Sequence, residues 1–357
     1  MTIRPATHTE AVSGNSQRRP AIREKLQGFP PVYFAMVMAT GIVSIAEYLQ
    51  GLTRIAAGLM WLNVVLYVLL WSLLLGRLVA GPKALLRELT DFSLAPSFFT
   101  IVAATGVLGR EFLIIHVGSA VATALLWIAF PLWAVFIYVI FCAFTVKEEK
   151  PSLAGGIHGG WLLAVVATQS LSILVALLAL WSPHHGAMLF AALGLWLCGG
   201  MLYIWIISLI FYRYTFFKFP PSDLMPPYWI NMGAMAISTL AGATLIQNSA
   251  LAPFLEAMLP FLKGFTVFFW ATATWWIPML VILGFWRHFS KRFPLKYDPL
   301  YWGLVFPLGM YSVCTHQLLQ VLHLSFLQWL PLAFAWIAIV AWGITFIGLL
   351  KQLPRIL

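Results

Sequence analysis

Ten apolar stretches, each of 20 residues or more, follow one another along most of the chain. An α-helix rises 1.5 Å per residue, so about 20 apolar residues cross a hydrocarbon core of ~30 Å. The connections between stretches are short, which makes successive helices antiparallel neighbours. The pattern predicts an all-α integral membrane protein with ten transmembrane helices, at residues 30–50, 55–79, 95–114, 118–145, 159–181, 187–213, 227–247, 261–287, 301–323 and 329–351.

The two ends of the chain do not share this pattern. Residues 1–28 are rich in Thr, Ser, Asn and Arg and have no apolar period, which is typical of a disordered segment. We therefore predict a disordered cytoplasmic tail at 1–28, a transmembrane domain at 29–351 and a short cytoplasmic tail at 352–357. The first apolar stretch begins too far into the chain, and is too long, for a cleaved signal peptide.

The basic residues indicate how the chain is oriented. Cytoplasmic loops of membrane proteins carry an excess of Lys and Arg. With ten spans and a cytoplasmic N-terminus, 18 of the 21 basic residues fall on the cytoplasmic side. The other side holds only Arg54, Arg110 and Lys263. The distribution predicts a multi-pass protein of the cell membrane with both termini in the cytoplasm.

Composition excludes most other classes of protein. The chain is 62% apolar and 9% charged, whereas soluble domains carry roughly 25% charged residues. The net charge is +10, and the charged residues lie mainly between the apolar stretches. We therefore interpret the basic residues as a topology signal and expect no nucleic-acid partner. Cys142, Cys198 and Cys314 lie inside apolar stretches without metal-ligand spacing, so we expect neither a metal nor another cofactor.

The odd-numbered stretches carry a weak internal repeat of proline followed by a small, hydroxyl-containing motif. The even-numbered stretches are more uniformly Leu, Ile, Val and Phe. Small residues favour close helix packing, so we expect the odd helices to pack together and the even helices to face lipid. Short matches of this kind also arise by chance. The repeat consists of Pro31 with Thr40-Gly41, Pro96 with Thr105-Gly106, Gly159-Gly160 with Ala167-Thr168, and the opening Pro226-Pro227.

Charged residues are missing from the middle of every predicted span. All eleven acids, and the basic residues likewise, fall in tails, loops or span ends. Proton relays, cation pumps and voltage sensors normally need buried charges, and a hydrolase needs an acid, a nucleophile pair or a metal. The sequence therefore favours a transporter over an enzyme, and a pore lined by hydroxyls, small residues and helix ends. Such a pore lacks the rings of acids that attract cations.

Three prolines and two neighbouring side chains are candidates for shaping this pore. Pro96, Pro227 and Pro307 could each bend a helix and expose its partially positive N-terminal half to an anion. Pro96 and Pro227 lie near span starts, where proline also simply begins a helix. Phe306 precedes Pro307, and an aromatic ring at a kink can close a pore. His316 lies about two and a half turns further along and either binds an anion or packs in the core.

The remaining candidates are polar residues of the odd helices. Their side chains either line the pore or hold helices together, and the sequence does not decide between these roles. Thr40 and Ser44 are one turn apart and share a helix face. The candidate pore-lining residues are Thr40, Ser44, Thr105, Thr168, Asn231, Ser238 and His316.

Three segments resemble a known family. Residues 29–49 (FPPVYFAMVMATGIVSIAEYL), 226–242 (PPYWINMGAMAISTLAG) and 301–313 (YWGLVFPLGMYSV) resemble the first, seventh and ninth helices of the tellurite-resistance/dicarboxylate transporter family. That family includes bacterial tellurite-resistance proteins, yeast malate and sulfite transporters and plant guard-cell slow anion channels. The resemblance extends over about 29–351. Gly159-Gly160, where the other odd spans have proline, departs from the pattern and puts a kink of the fifth helix in doubt.

The resemblance implies a specific architecture and function. Five helical hairpins surround a central pore, with odd helices inside and even helices outside, and subunits assemble as homotrimers with one pore each. An aromatic residue at the position of Phe306 occludes the pore. The sequence and the resemblance together predict transport of small anions through a channel-like pore. A proton-coupled transporter of one anion, such as malate or sulfite, is the alternative.

Overall fold

The computed structural model describes residues 29–115 and 118–356, and the side chains of the last helix as far as residue 352. Every regular element in these ranges is helical, so the predicted all-α membrane class is confirmed. We number the ten long helices α1 to α10. They are α1 Phe34–Leu49, α2 Thr53–Ala80, α3 Phe99–Ile114, α4 Ser119–Val146, α5 Leu163–Leu178, α6 His185–Phe216, α7 Ile230–Gln247, α8 Leu259–Phe285, α9 Trp302–Leu322 and α10 Trp329–Ile356.

Nine helices in the described part of the chain are long and apolar enough to cross a membrane. α9 is the long helix that does not meet this criterion. Its 21 residues are sufficient to span ~30 Å, but polar residues in its C-terminal half, including Thr315, His316, Gln317 and Gln320, lower its hydropathy. The count of ten spans stays a prediction. The predicted N-terminal tail at 1–28 lies outside the described residues, and α10 continues to Ile356, into the segment predicted as the C-terminal tail.

The odd-numbered helices all begin in the same way, with a short 3-10 turn immediately before the α-helix. Proline at the start of a helix loses no hydrogen bond, because the first N–H groups have no partner inside the helix. Four of the turns begin with or contain a proline near their start, and the fifth has Gly159-Gly160 instead. The turns are Pro31–Tyr33, Ala95–Phe98, Gly159–Leu162, Pro226–Trp229 and Pro299–Tyr301.

A close backbone contact explains the glycine in the third turn. A Cβ atom added at Gly159 would lie 2.5 Å from the backbone oxygen of Pro227 and 2.6 Å from the Cα of Tyr228. Backbone atoms cannot move aside as a flexible side chain does, so only glycine fits. The departure from the proline pattern therefore reflects how tightly the starts of α5 and α7 pack.

The five odd helices form a closed ring. α1 packs against α3, α3 against α5, α5 against α7, α7 against α9, and α9 returns to α1. Each even helix packs against the odd helix before it and also touches the next odd helix of the ring. In the apolar stretches of α1, α3, α5 and α7, 78 to 94% of residues are buried, compared with 22 to 50% for the five even helices. These contacts support the predicted arrangement of five hairpins.

A belt of hydrogen bonds joins the outer helices to the inner ring. In each case an aromatic side chain of an even helix bonds to the next odd helix. Trp133 of α4 donates its Nε1–H to the Thr168 hydroxyl (2.8 Å), and Trp196 of α6 donates to the Ser238 carbonyl (2.9 Å). The other members of this aromatic belt are Tyr67 with Thr105 (3.0 Å), Trp270 with Thr315 (3.0 Å) and Trp342 with Thr40 (3.0 Å).

A second belt closes each hairpin at its open end. At the end of every even helix, a side chain donates to a backbone carbonyl shortly before the 3-10 turn of the preceding odd helix. This belt, which we call the clamp, consists of Arg77 with Phe29 (2.6 Å), Lys147 with Thr90 (3.3 Å), Arg213 with Ile157 (2.7 Å), Arg287 with Leu224, and Gln352 with Tyr297 (3.4 Å). From the sequence alone, these basic residues indicate only the orientation of the chain in the membrane. Arg77 and Arg213 are in fact buried and stabilise the fold.

Candidate functional site

A small cavity lies within the ring, and all five inner helices contribute to its wall. Its volume is about 10 Å³, which is roughly the space that one water molecule requires. An anion therefore cannot pass without movement of the lining side chains. The lining residues are Ile42 of α1, Gly106, Val107 and Arg110 of α3, Ser170 and Ile173 of α5, Ile237 of α7, and Met310 of α9.

Glycine allows α3 and α5 to approach at this cavity. A Cβ atom added at Gly106 would lie 2.7 Å from Ser170 Oγ and 2.9 Å from Ser170 Cβ. The predicted Thr105-Gly106 motif thus has two faces. Thr105 bonds outward to Tyr67 of α2, while Gly106 faces the axis of the ring. The same motif brings the inner helices together and joins them to the outer layer.

Phe306 is 1% exposed and lies within α9, four residues before Met310. Residues four apart share a helix face, so Phe306 is on the same side of α9 as a residue that lines the cavity. It lies one turn closer to the N-terminal ends of the inner helices. Its role as a gate stays a prediction. α9 continues without interruption through Pro307. The Pro307 ring packs against Gly233 of α7, where an added Cβ atom would lie 2.7 Å from the Pro307 Cγ atom.

Pro96 and Pro227 lie in the 3-10 turns that precede α3 and α7, and both are buried. Neither interrupts the α-helix that follows. Their position fits the simpler of the two interpretations, in which proline begins the helix. Neither proline lies in the wall of the central cavity. Pro227 packs beside the start of α9, where a Cβ added at Gly303 would lie 3.6 Å from the Pro227 Cα.

The predicted pore-lining hydroxyls are not in the cavity wall. Thr40, Thr105 and Thr168 belong to the aromatic belt. Ser44 donates to the carbonyl of Ala56 in α2 (2.9 Å), and Ser238 donates to Ala234 of its own helix (2.7 Å). The contacts of the three threonines and Ser44 match the alternative interpretation, in which hydroxyls hold helices together, whereas the Ser238 hydroxyl bonds within its own helix. Hydropathy patterns do not distinguish the two roles, because both place a buried hydroxyl on an inner helix.

Asn231 and His316 lie near opposite ends of the ring. The Asn231 amide nitrogen is 3.4 Å from the Tyr214 hydroxyl, and its backbone carbonyl accepts from Tyr203 (3.2 Å). His316 is half-buried, and its Nε2 is 3.0 Å from the side-chain nitrogen of Gln320. His316 also lines an open pocket of about 430 Å³ at the C-terminal ends of α1 and α9, together with Gln50, Gln320 and His323. We call this pocket the vestibule.

Three charged side chains that the sequence places at span ends are buried near the C-terminal ends of the inner helices. Glu47 is 1% exposed, Arg110 is 5% exposed and Glu111 is fully buried. Glu111 accepts a hydrogen bond from Asn63 Nδ2 of α2 (2.8 Å). A charge near the end of a predicted span can lie inside the protein when short neighbouring helices and loops cover it.

Arg110 is the functional candidate that sequence reasoning missed. Its Nε and Nη1 atoms have no hydrogen-bond partner among the described residues, and no carboxylate of the described residues lies within salt-bridge distance. Arg110 lines the central cavity, His316 lines the vestibule, and Cys314 and His316 of α9 are within range of the Arg110 charge. One signal was available, because Arg110 is four residues after Gly106 and hence on the same helix face.

These features define a class of protein. A closed ring of buried helices, an outer layer that exposes apolar side chains, and a cavity on the ring axis belong to a multi-pass membrane protein that moves a small solute. The chain matches the family model described as "Voltage-dependent anion channel" over residues 28–350. It therefore belongs to the voltage-dependent anion channel family, and the resemblance found in the sequence is confirmed at the level of the family.

Curated relatives agree with this assignment. Two uncharacterized transporters of Methanocaldococcus jannaschii are each 26% identical to the chain. One alignment covers 92% of the chain and 95% of the relative, and the other covers 90% and 92%. An uncharacterized membrane protein of Mycobacterium tuberculosis is 40% identical over 152 residues, which is 43% of the chain and 77% of that protein. The protein is thus an anion channel or transporter of this family.

Proposed function

We propose that each subunit conducts small anions along the axis of the inner ring and that Phe306 is the gate. The observation that carries the proposal is the central cavity, to which all five inner helices contribute and in which Arg110 is the only charged residue among the described residues of the wall. A cation that entered the cavity would meet a positive charge, whereas an anion would be stabilised there. The path continues outward past His316 into the vestibule.

The position of Phe306 supports its role as the gate. It is buried on the face of α9 that also presents Met310 to the cavity. Buried aromatic rings of 150–250 Å² exclude water from a narrow passage. Rotation of this ring, or its removal, would extend the cavity toward the N-terminal ends of the inner helices.

A specific observation favours the alternative of proton coupling. Glu47 and Glu111 are buried, and Glu47 Oε1 and Glu111 Oε1 have no hydrogen-bond partner among the described residues. Intramembrane acids are common in proton-coupled carriers. The sequence argument that the spans hold no buried acid therefore does not count against proton coupling. Neither Glu47 nor Glu111 lines the central cavity.

We further propose a cell-membrane location with both termini in the cytoplasm and assembly as a homotrimer. The ratio of 18 to 3 in basic residues supports the orientation. Large apolar side chains exposed on the even helices, such as Trp61, Trp127 and Ile344, form a surface that lipid or neighbouring subunits must cover.

Flux through liposomes tests the proposal. Purified protein is reconstituted, and chloride, nitrate, sulfite and malate fluxes are measured for the wild type and Phe306→Ala, with and without a pH gradient. We expect faster anion flux in Phe306→Ala, with no dependence on the pH gradient. Slow, saturable flux of one anion that follows the proton gradient would establish the coupled alternative. Unchanged flux in a well-folded Phe306→Ala protein would contradict the gate.

A further inference from the structure

The unpaired guanidinium of Arg110 requires an explanation. The side chain is 5% exposed, and its Nε and Nη1 atoms have no partner among the described residues. The other buried arginines of the described chain are each ion-paired, Arg77 with Glu88 and Arg213 with Asp223. Their Nε atoms also lack a partner, so the absence of a carboxylate and the unpartnered Nη1 atom are what distinguish Arg110. An unpaired buried charge is strongly destabilising, because desolvation is not compensated by an opposite charge. A residue that is both costly and directed at a cavity on the axis points to a ligand.

Nearby carboxylates do not fill this role. Glu111 follows Arg110 directly, but neighbouring residues of a helix point about 100° apart. The Glu111 carboxylate instead turns toward Asn63 of α2. The charged or titratable groups that interact with Arg110 across the ring are Cys314 and His316 of α9, and neither supplies a permanent negative charge.

We propose that Arg110 is a binding site for one monovalent anion inside the closed pore. This inference rests on the proposed function and specifies where and how the anion is held. The guanidinium offers parallel N–H donors in a planar fork, which suits a planar oxyanion such as nitrate. Ser170 is the other polar side chain in the cavity wall, and its hydroxyl already donates to Ala167 (2.8 Å).

The surroundings of Arg110 determine the charge of the ligand. The cavity wall includes Ile42, Val107, Ile173, Ile237 and Met310, which solvate no charge. One guanidinium neutralises one negative charge, and a dianion would leave a second charge buried without a partner. The site therefore selects monovalent, weakly hydrated anions over sulfate or doubly ionised malate.

The small volume of the cavity sets one structural requirement. About 10 Å³ is available, so an anion must displace a side chain as it binds. Met310 is the flexible member of the wall, with an unbranched side chain that repacks readily. An anion that binds Arg110 would therefore displace the Met310 side chain. Met310 is one helical turn from Phe306, so the anion site lies next to the proposed gate.

Anion-dependent thermal stability tests the site independently of transport. Protein in detergent is titrated with sodium nitrate, and sodium sulfate keeps the ionic strength constant. The unfolding midpoint is measured for the wild type, Arg110→Gln, Arg110→Lys and Arg54→Gln. Arg54 is the matched control, because it is an exposed arginine near the same end of the inner helices. A ligand that binds only the folded state raises the midpoint in a saturable manner.

We expect nitrate to stabilise the wild type and Arg54→Gln equally, while Arg110→Gln shows no saturable response. Arg110→Lys keeps the charge but not the planar fork, and we expect its nitrate affinity to fall ~10-fold or more, the loss typical of one charge-assisted hydrogen bond. Without nitrate, Arg110→Gln should melt at the same temperature as the wild type or higher, since it removes an unpaired charge. A wild type that does not respond to nitrate, or an Arg110→Gln protein that responds normally, overturns the proposal.

The proposed function can fail separately. Nitrate flux through Phe306→Ala and through Phe306→Ala/Arg110→Gln is measured in parallel. Absent flux in both, together with normal nitrate stabilisation of the wild type, would contradict conduction and retain the Arg110 site. Fast nitrate flux in both variants, with no nitrate stabilisation in any protein, would retain conduction and remove the site.

Discussion

Arg213 allows the clamp to be tested quantitatively. It is buried near the end of α6 and donates to the Ile157 carbonyl (2.7 Å) and to the Tyr228 hydroxyl, and it pairs with Asp223 (2.8 Å). Ile157 precedes α5, and Tyr228 lies in the turn before α7, so one side chain holds two inner helices. Arg213→Met keeps most of the apolar stem and removes all three interactions.

The expected loss follows from these contacts. A hydrogen bond that involves a charged group contributes about 1.5–3 kcal/mol, and two such bonds reach buried groups. The Asp223 side chain is 32% exposed, so solvent screening reduces its share to ~1 kcal/mol or less. We expect Arg213→Met to lower the free energy of unfolding by about 3–5 kcal/mol.

Equilibrium unfolding in mixed detergent micelles measures this loss, with Arg54→Met as the control. Arg54 is exposed, and its substitution should change the free energy by no more than ~0.5 kcal/mol. Asp223→Asn alone should cost ~1 kcal/mol or less. If Arg213→Met unfolds with the free energy of Arg54→Met, the clamp does not stabilise the fold and the reasoning is refuted.

Three further predictions concern the ring, the loops and the topology. Gly106→Val should destabilise the protein by about 1–3 kcal/mol through overpacking, whereas Gly58→Val, where a new Cβ meets no atom within 4 Å, should not; thermal unfolding compares the two. His158, which precedes the turn before α5, is half-buried and accepts from the Gly160 N–H at Nδ1 (3.1 Å). Burial lowers the pKa of His158 to about 4, so protonation favours the unfolded state. The contribution of neutral His158 to the free energy of unfolding should be fully present above pH ~6.5, the unfolded-state pKa, and should decrease as the pH falls toward 4. A His158→Gln protein whose free energy of unfolding falls equally over this range would contradict the argument. A cysteine at exposed His185 should react with an impermeant reagent in intact cells, and labelling only after permeabilisation would mean that the orientation is inverted.

The sequence predicts the layered architecture because burial and composition are linked in a membrane. Helices covered by protein on all sides tolerate Gly, Thr and Ser, whereas helices that face lipid are uniformly apolar. The Thr105-Gly106 motif therefore indicated that α3 belongs to an inner layer. The structure adds that the threonine contacts the outer layer and the glycine faces the axis.

The candidate site could be predicted only in part. Phe306 stands out in the sequence because it precedes Pro307, but the family resemblance is what favours it as a gate over the other 26 phenylalanines. The sequence places Arg110 near the end of the third predicted span and on the external side, where charges are usually solvated. Its burial depends on how α1, α5 and α9 cover the end of α3, and such long-range packing leaves no mark in a hydropathy profile.

Both hydrogen-bond belts were also invisible in the sequence. Trp196 donates to a backbone carbonyl, whereas Trp133 donates to a threonine hydroxyl. The contacts are equivalent in space although their chemical partners differ. Arg213 and Arg287 were counted for topology alone, and their carbonyl partners 56 and 63 residues away become apparent only in the folded ring.

Charge selectivity is the most direct test of the central claim, that anions pass along the axis of the inner ring. Single-channel or macroscopic current through Phe306→Ala is recorded in a planar bilayer across a tenfold KCl gradient. An ideally anion-selective pore reverses near the chloride equilibrium potential, ~59 mV from zero for a monovalent ion. We predict reversal close to that value and with the sign for chloride. Reversal near zero, or with the sign for potassium, would contradict an anion pathway lined by Arg110.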